Sequence, residues 1–270
     1  MTKLRKALKA IGLIVKQPSM LNLVLDSEPV KRREVIKRYG MGEGLPVVNI
    51  DEFFDPSGEQ VEPFAFLDGG CLPTDLALLK ALCQRYKVQD YLEIGTWRGE
   101  SVANVATTGA QCITVNLPDD EMRVMGMSEE YIAMHRFFSE SLPNVNHVQA
   151  NSHRFDFSSL NKKFDLIFID GDHHTESIIK DTKTAWGLLK NESSVLVWHD
   201  YAISPETPRF EVLEGILSGL PAEAHRNLYH ISNTLCAIYT KEPLTAEPLK
   251  INSKPKHWFG VQMSLRQNPQ

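Results

Sequence analysis

The hydrophobic positions of this chain change period along its length. Leu4, Leu8, Ile11 and Val15 recur at helical spacing, with Arg5, Lys6, Lys9 and Lys16 around them and Pro18 as a stop, which predicts a basic amphipathic helix. Its apolar stripe is expected to cover a neighbouring domain or a second subunit, or to dock on an anionic membrane surface. Residues 40 to 70, with Gly40, Gly42, Gly44, Pro46, Pro56, Gly58 and Pro63, read as a linker or an active-site flap. A helix over 73–86 follows, carrying Leu76, Leu79 and Leu82 on one side. Strand and helix patterns then alternate. Strands are predicted at 90–94, 111–117, 145–150, 164–170, 194–199, 228–232 and 235–240, with helices at 99–107, 128–141 and 176–189 and an irregular piece near 153–161. Continuous apolar runs such as Phe164 to Asp170 belong in a parallel sheet buried on both faces, so the chain reads as α/β. The last two strands lie too close for a helical crossover and should form an antiparallel hairpin around Ser232, Asn233 and Thr234. A polar, proline-containing tail follows from Glu242, with Trp258 to Leu265 as a candidate edge strand.

Composition narrows the class. With 42% apolar and 23% charged residues in 270, the chain can bury a full core. The apolar runs near Ile11 to Val15 and Leu166 to Ile169 fall far short of the roughly 20 residues of a membrane span. No secretory signal pattern is visible. Cys71, Cys83, Cys112 and Cys236 have neither zinc-site nor disulfide-framework spacing, so a reducing cytoplasm is the expected compartment. Charge is unevenly spread. Residues 1 to 40 hold ten Lys and Arg against Asp26, Glu28 and Glu34, a local +7 that leaves −12 for the rest of a chain whose net charge is −5. An acidic body argues against nucleic acid as its partner, while residues 1–18 are free to meet an anionic one, such as the inner membrane face.

The chemistry-bearing residues gather at strand ends. Glu93, Gly95 and Gly99 form an E-x-G-x-x-x-G loop after the first strand, with Thr96 and Trp97 where a dinucleotide fingerprint would place another glycine, so a nicotinamide cofactor is disfavoured. The second strand ends at Asn116, about 20 residues on, where a nucleoside ribose would meet a side-chain acceptor. The third ends at Asn151 and Ser152, which could equally cap a turn. The fourth delivers Asp170, Asp172, His173 and His174, and the fifth His199 and Asp200. Three acids and three histidines on one rim are the strongest chemical signal in the sequence. Asp170, His199 and Asp200 could hold Mg²⁺ or another divalent ion, or a histidine could act directly as general base, and both readings stay open.

Taken together, these motifs resemble the class I S-adenosylmethionine-dependent methyltransferases, in particular the small-molecule and sugar O-methyltransferase branch grouped with cephalosporin-hydroxylase-like proteins. The resemblance covers about residues 66–242, through Leu92 to Gly99 as the first motif and Phe164 to His173 as the fourth. It implies a Rossmann-like, doubly wound, seven-stranded and mostly parallel sheet with an antiparallel last strand. A helical extension and linker (1–65) would precede it and a tail (243–270) would follow. It further implies that S-adenosylmethionine is held by Glu93, Gly95, Thr96, Gly99, Asn116, Asn151, Ser152 and Asp170. In that picture Glu93 orders the methionine amino group and Asn151 the adenine. Asp170, His173, His199 and Asp200 would serve catalysis, with Asp170, His199 and Asp200 in the places of the metal ligands. His199 departs from the acidic or amide residue usual at its place, and Asn116 from the usual Asp or Glu. The acceptor would be a sugar, glycan precursor or other hydroxylated small molecule, under a lid formed by residues 40–70 and 122–135, with Met122, Met125, Met127 and Met134 as an adaptable wall. A homodimer is a further expectation. From another class, the alternative is a methyltransferase-like binding module without catalysis.

Overall fold

The computed structural model describes residues 2–25, 28–55, 57–252, 254 and 256–267. Three helices come first: α1 (Lys3–Lys16), α2 (Met20–Leu25) and α3 (Glu28–Tyr39). The short strand β1 (Val47–Val48) precedes α4 (Pro73–Arg85), β2 (Asp90–Ile94), α5 (Glu100–Ala106) and β3 (Gln111–Asn116). Then come α6 (Asp119–Val124), α7 (Glu129–Ala133), β4 (Val145–Gln149), β5 (Leu166–Ile169), α8 (Thr175–Leu188) and β6 (Val195–Trp198). A small ribbon, β7 (Ala202–Ser204) with β8 (Thr207–Pro208), leads to α9 (Phe210–Gly219), β9 (Leu228–Ile231), β10 (Ala237–Tyr239) and β11 (Ala246–Glu247).

Every residue of β5 and β6 is buried because the sheet is covered on both faces. Successive side chains point to opposite layers. Leu92, Ile94, Ile167, Ile169, Leu196 and Trp198 pack with Val35 of α3, Ile178 and Ala185 of α8, and Leu213 and Leu217 of α9. Tyr91, Leu166, Phe168, Val195 and Val197 pack on the other side with Leu76, Leu79 and Leu82 of α4 and Val102 and Val105 of α5.

The strand order is β11-β1-β9-β10-β6-β5-β2-β3-β4. β2 to β6 run parallel, and β10 lies antiparallel to both β6 and β9. The seven expected strands, with their antiparallel last member, are therefore present, and β1 and β11 extend one edge to nine. β1 comes from the glycine- and proline-rich segment and pairs parallel with β9 through Val47 and His230. β11 comes from the tail. The expected edge strand over Trp258 to Leu265 does not form; those residues have no regular structure, and Leu265 is 98% exposed. α2, α3, α6 and α9 are helices that the sequence patterns had not marked. The helix expected over 128–141 shrinks to α7, because Arg136 enters the left-handed region and the N–H groups of Arg136 and Phe138 go to the carbonyls of Trp97 and Arg98 at 2.8 and 2.9 Å. Among the described residues no helix is long and apolar enough to cross a membrane.

The chain moves from β2 to β3 and β4 on one side, then returns to β5 and β6 on the other. Such a switch opens a crevice at the carboxyl ends of β2 and β5.

Candidate active site at the sheet switch point

The loop after β2 is packed against the loop after β5. Gly95 has φ +91°, and a Cβ there would lie 2.2 Å from the Asp170 carbonyl oxygen, a backbone atom with no room to yield. Gly99, at φ +80°, opens α5 beneath Ser139, whose Oγ a Cβ would meet at 2.2 Å. Thr96 is buried, its N–H donating to Asn116 Oδ1 at 3.3 Å and its hydroxyl to Glu93 Oε1 at 3.1 Å. The Thr96 bond fixes how the Asn116 amide faces. Its Oδ1 is occupied and its Nδ2 is a buried donor with no hydrogen-bond partner among the described residues, at the strand end where an acceptor had been expected.

Glu93 does not reach the crevice surface. Its carboxyl is fully buried and accepts from the Tyr91 hydroxyl at 2.8 Å as well as from Thr96. Burial pushes it up to about 7, against the hydrogen bonds of Tyr91 and Ser101. Asn151 turns its Oδ1 back to the His153 N–H at 3.0 Å, the turn-capping use of asparagine. Ser152 bonds to Asp181 of α8, a buried carboxyl 3.5 Å from the Cβ position of Gly171, so the ends of β4 and β5 share one rim.

Asp170, His199 and Asp200 come together. His199 is buried, and its Nδ1 lies 3.0 Å from Asp170 Oδ1 and 3.3 Å from Asp200 Oδ2. His173 Nε2 approaches Asp200 from outside at 3.0 Å, and Arg209 Nη2 stands 3.9 Å from its other oxygen. Asp200 holds φ +54°, a left-handed turn that swings its carboxylate back over His199. Burial would raise its pKa, but the hydrogen bond and charge of His199, with His173 and Arg209, hold it at about 2. His174 pairs instead with Asp172, which also accepts from the Ser177 hydroxyl at 2.7 Å. Thus His173 joins the cluster and His174 does not.

Sequence reasoning missed Asp75. This fully buried acid in the first turn of α4 accepts from the Leu72 N–H at 2.6 Å and the Leu235 N–H at 2.8 Å, and faces His199 Nε2 at 3.2 Å. Its signal was visible as an acid three residues into a helix after Leu72-Pro73, but that spelling also marks an ordinary cap. Burial opposes an imidazolium at His199; Cys71, Asp170 and Asp200 outweigh it and raise its pKa well above the ordinary value. The donor set fits a divalent ion: two carboxylates and one imidazole nitrogen within 4.8 Å of one another, with the second ring N–H directed to a carboxylate, as metal-binding histidines usually are.

The surrounding segments are pinned. Asn104 Oδ1 accepts the Glu62 N–H at 2.9 Å, Glu100 accepts the Ala65 N–H at 2.6 Å, and Arg98 donates to the Leu67 and Asp68 carbonyls. Beside the glycine loop, Trp97 meets Tyr131 and His135 with ring centroids 4.2 and 4.6 Å apart. These aromatics border the loop; of the four methionines Met122 is buried, Met125 exposed, and Met127 and Met134 lie between.

Residues 92–201 match the family model described as "Methyltransferase domain". No curated protein matches the chain. Among solved structures the chain is similar to an O-methyltransferase from Bacillus cereus in complex with SAH, at 17% identity over 65% of this chain and 84% of that one, with a TM-score of 0.43. It is similar to a SAH-bound methyltransferase from Podospora anserina at 18% identity, 66% and 83% coverage and a TM-score of 0.44. For the O-methyltransferase TomG of Streptomyces achromogenes, involved in tomaymycin synthesis and in complex with SAM, the values are 14%, 64%, 82% and 0.41.

Proposed function

We propose, on the premise that residues 92–201 are a methyltransferase domain of the class I, S-adenosylmethionine-dependent kind, that this chain methylates an oxygen of a small hydroxylated acceptor. The observation that carries the reading is the contact between the Gly95 loop and Asp170, which supports a donor bound beside the Asp170, His199 and Asp200 cluster. Asn116 Nδ2, the open buried donor, is suited to a ribose oxygen, and the Gly95 turn allows the close approach that a nucleoside needs.

Bound S-adenosylmethionine supplies a methyl group on a positively charged sulfur, and a divalent ion would supply charge that favours an ionised acceptor hydroxyl. Asp170, Asp200 and His199 Nδ1 would hold that ion, with Asp75 fixing the imidazole. His173, half-exposed and paired with Asp200, is placed to take the acceptor's proton. The acceptor oxygen then bonds to the methyl carbon as the carbon–sulfur bond breaks, so the protein's work is alignment and proton removal. A sugar or glycan precursor suits a rim built of carboxylates, histidines and Arg209.

Calorimetric titration with S-adenosylmethionine and its demethylated product comes first; absence of binding at millimolar ligand would refute the reading. Turnover is then measured on a panel of sugars and catechols with and without chelator. Binding without any product would favour the second reading, a non-catalytic binding module, to which the amide at position 116 points in place of a carboxylate.

A further inference from the structure

The arm formed by α1 and α2 has an amphipathic face that the other described residues leave open. No residue of α1 is buried. Leu4, Leu8, Ile11 and Val15, the stripe legible in the sequence, are 58 to 75% exposed, and Leu21, Val24 and Leu25 of α2 continue the apolar surface. The described part of α1 and α2 carries Lys3, Arg5, Lys6, Lys9 and Lys16 and no acid. An apolar stripe edged with cations and free of anions matches the layered chemistry of a bilayer surface, acyl chains beneath anionic headgroups. It matches a second arm poorly, since stripe-to-stripe pairing would bring two such cation sets together.

The arm is held firmly at its root. Glu28 Oε2 at the start of α3 accepts the Phe210 N–H at 2.6 Å, and Lys31 and Arg38 both pair with Glu214 of α9. Phe210 follows Arg209, the residue that faces Asp200. The open helices therefore depart from the rim of the crevice.

We infer that α1 and α2 dock this protein on the surface of an anionic phospholipid bilayer, with the stripe Leu4, Leu8, Ile11 and Val15 in the headgroup layer and the Lys and Arg side chains on the phosphates. The inference does not rest on the reaction assigned above, because its readout is binding without turnover. The full chain is sedimented with vesicles of phosphatidylcholine alone and with vesicles containing about one third phosphatidylglycerol. The expected result is binding to the anionic vesicles at least about tenfold stronger than to the neutral ones, weakened by a similar factor when salt rises from about 50 to about 500 mM. The double variant Leu8→Glu, Ile11→Glu should lose binding while keeping the thermal midpoint of the native chain, since α1 buries nothing. Equal sedimentation with both vesicle types, or undiminished binding by the double variant, overturns the inference. So does a dimer in sedimentation velocity that the double variant dissolves without any vesicle binding in the native chain; the stripe would then cover a second copy.

Discussion

Asp75 holds His199 from behind while closing the first turn of its own helix. Because Asp75 is fully buried, Asp75→Asn is expected to cost about 2 kcal/mol in chemical denaturation. Under the metal reading proposed above, it should also weaken Mn²⁺ binding roughly 10- to 100-fold by calorimetry, the effect of losing an outer partner of a metal-binding histidine. Glu93 gives a pH signature. Its folded-state pKa of about 7 lies above the ordinary 4.5, so its contribution is fully present below pH 4.5 and is lost as pH rises through 7. Measured by urea unfolding, the stability of the native chain relative to Glu93→Gln should fall by up to about 3 kcal/mol between pH 5 and 8. Gly95→Ala would force a methyl group into the Asp170 carbonyl at a backbone angle that suits only glycine; a loss of about 2 kcal/mol or more is expected by the same method. The sequence announced Asp170, His199 and Asp200 because strand ends collect chemistry. It concealed Asp75, whose partner lies 124 residues away in sequence, and it made Glu93 look like a ligand although tertiary packing seals it in the core.

At the scale of elements, legibility followed burial. Strands covered on both faces, such as Leu166–Ile169 and Val195–Trp198, must be apolar throughout and declare themselves. The hairpin of β9 and β10 was equally plain, with Asn233 in the left-handed region at its turn. A two-residue strand carries no periodic signal, so Val47–Val48 was hidden among glycines and prolines although it pairs on both sides. The Trp258 to Leu265 run misled in the opposite sense, since alternation without a partner strand forms no sheet. The segment read as a flap is tied to α5 by Glu100 and Asn104 and to the loop before it by Arg98. Asn104→Ala removes the acceptor for the Glu62 N–H and the donor to the Pro63 carbonyl. It should release this strap at a cost of about 1–3 kcal/mol, seen as faster limited proteolysis within residues 57–68 while the sheet stays protected from hydrogen exchange.

For the whole molecule, the topology does the assembling. One reversal of strand order gathers the ends of β2, β3, β5 and β6 around a single crevice, with α4 behind His199, and helices cover both faces of the sheet. The sheet is thereby a frame on which the rim can change while the Gly95 loop stays fixed. The separation of charge noted at the outset, +7 over the first 40 residues against −12 over the rest, has a mechanical meaning as well. Beside a negatively charged layer the two ends feel opposite forces, and the molecule experiences a torque before it makes any contact. It would therefore arrive turned arm first, with the acidic body held away from the layer by its own repulsion.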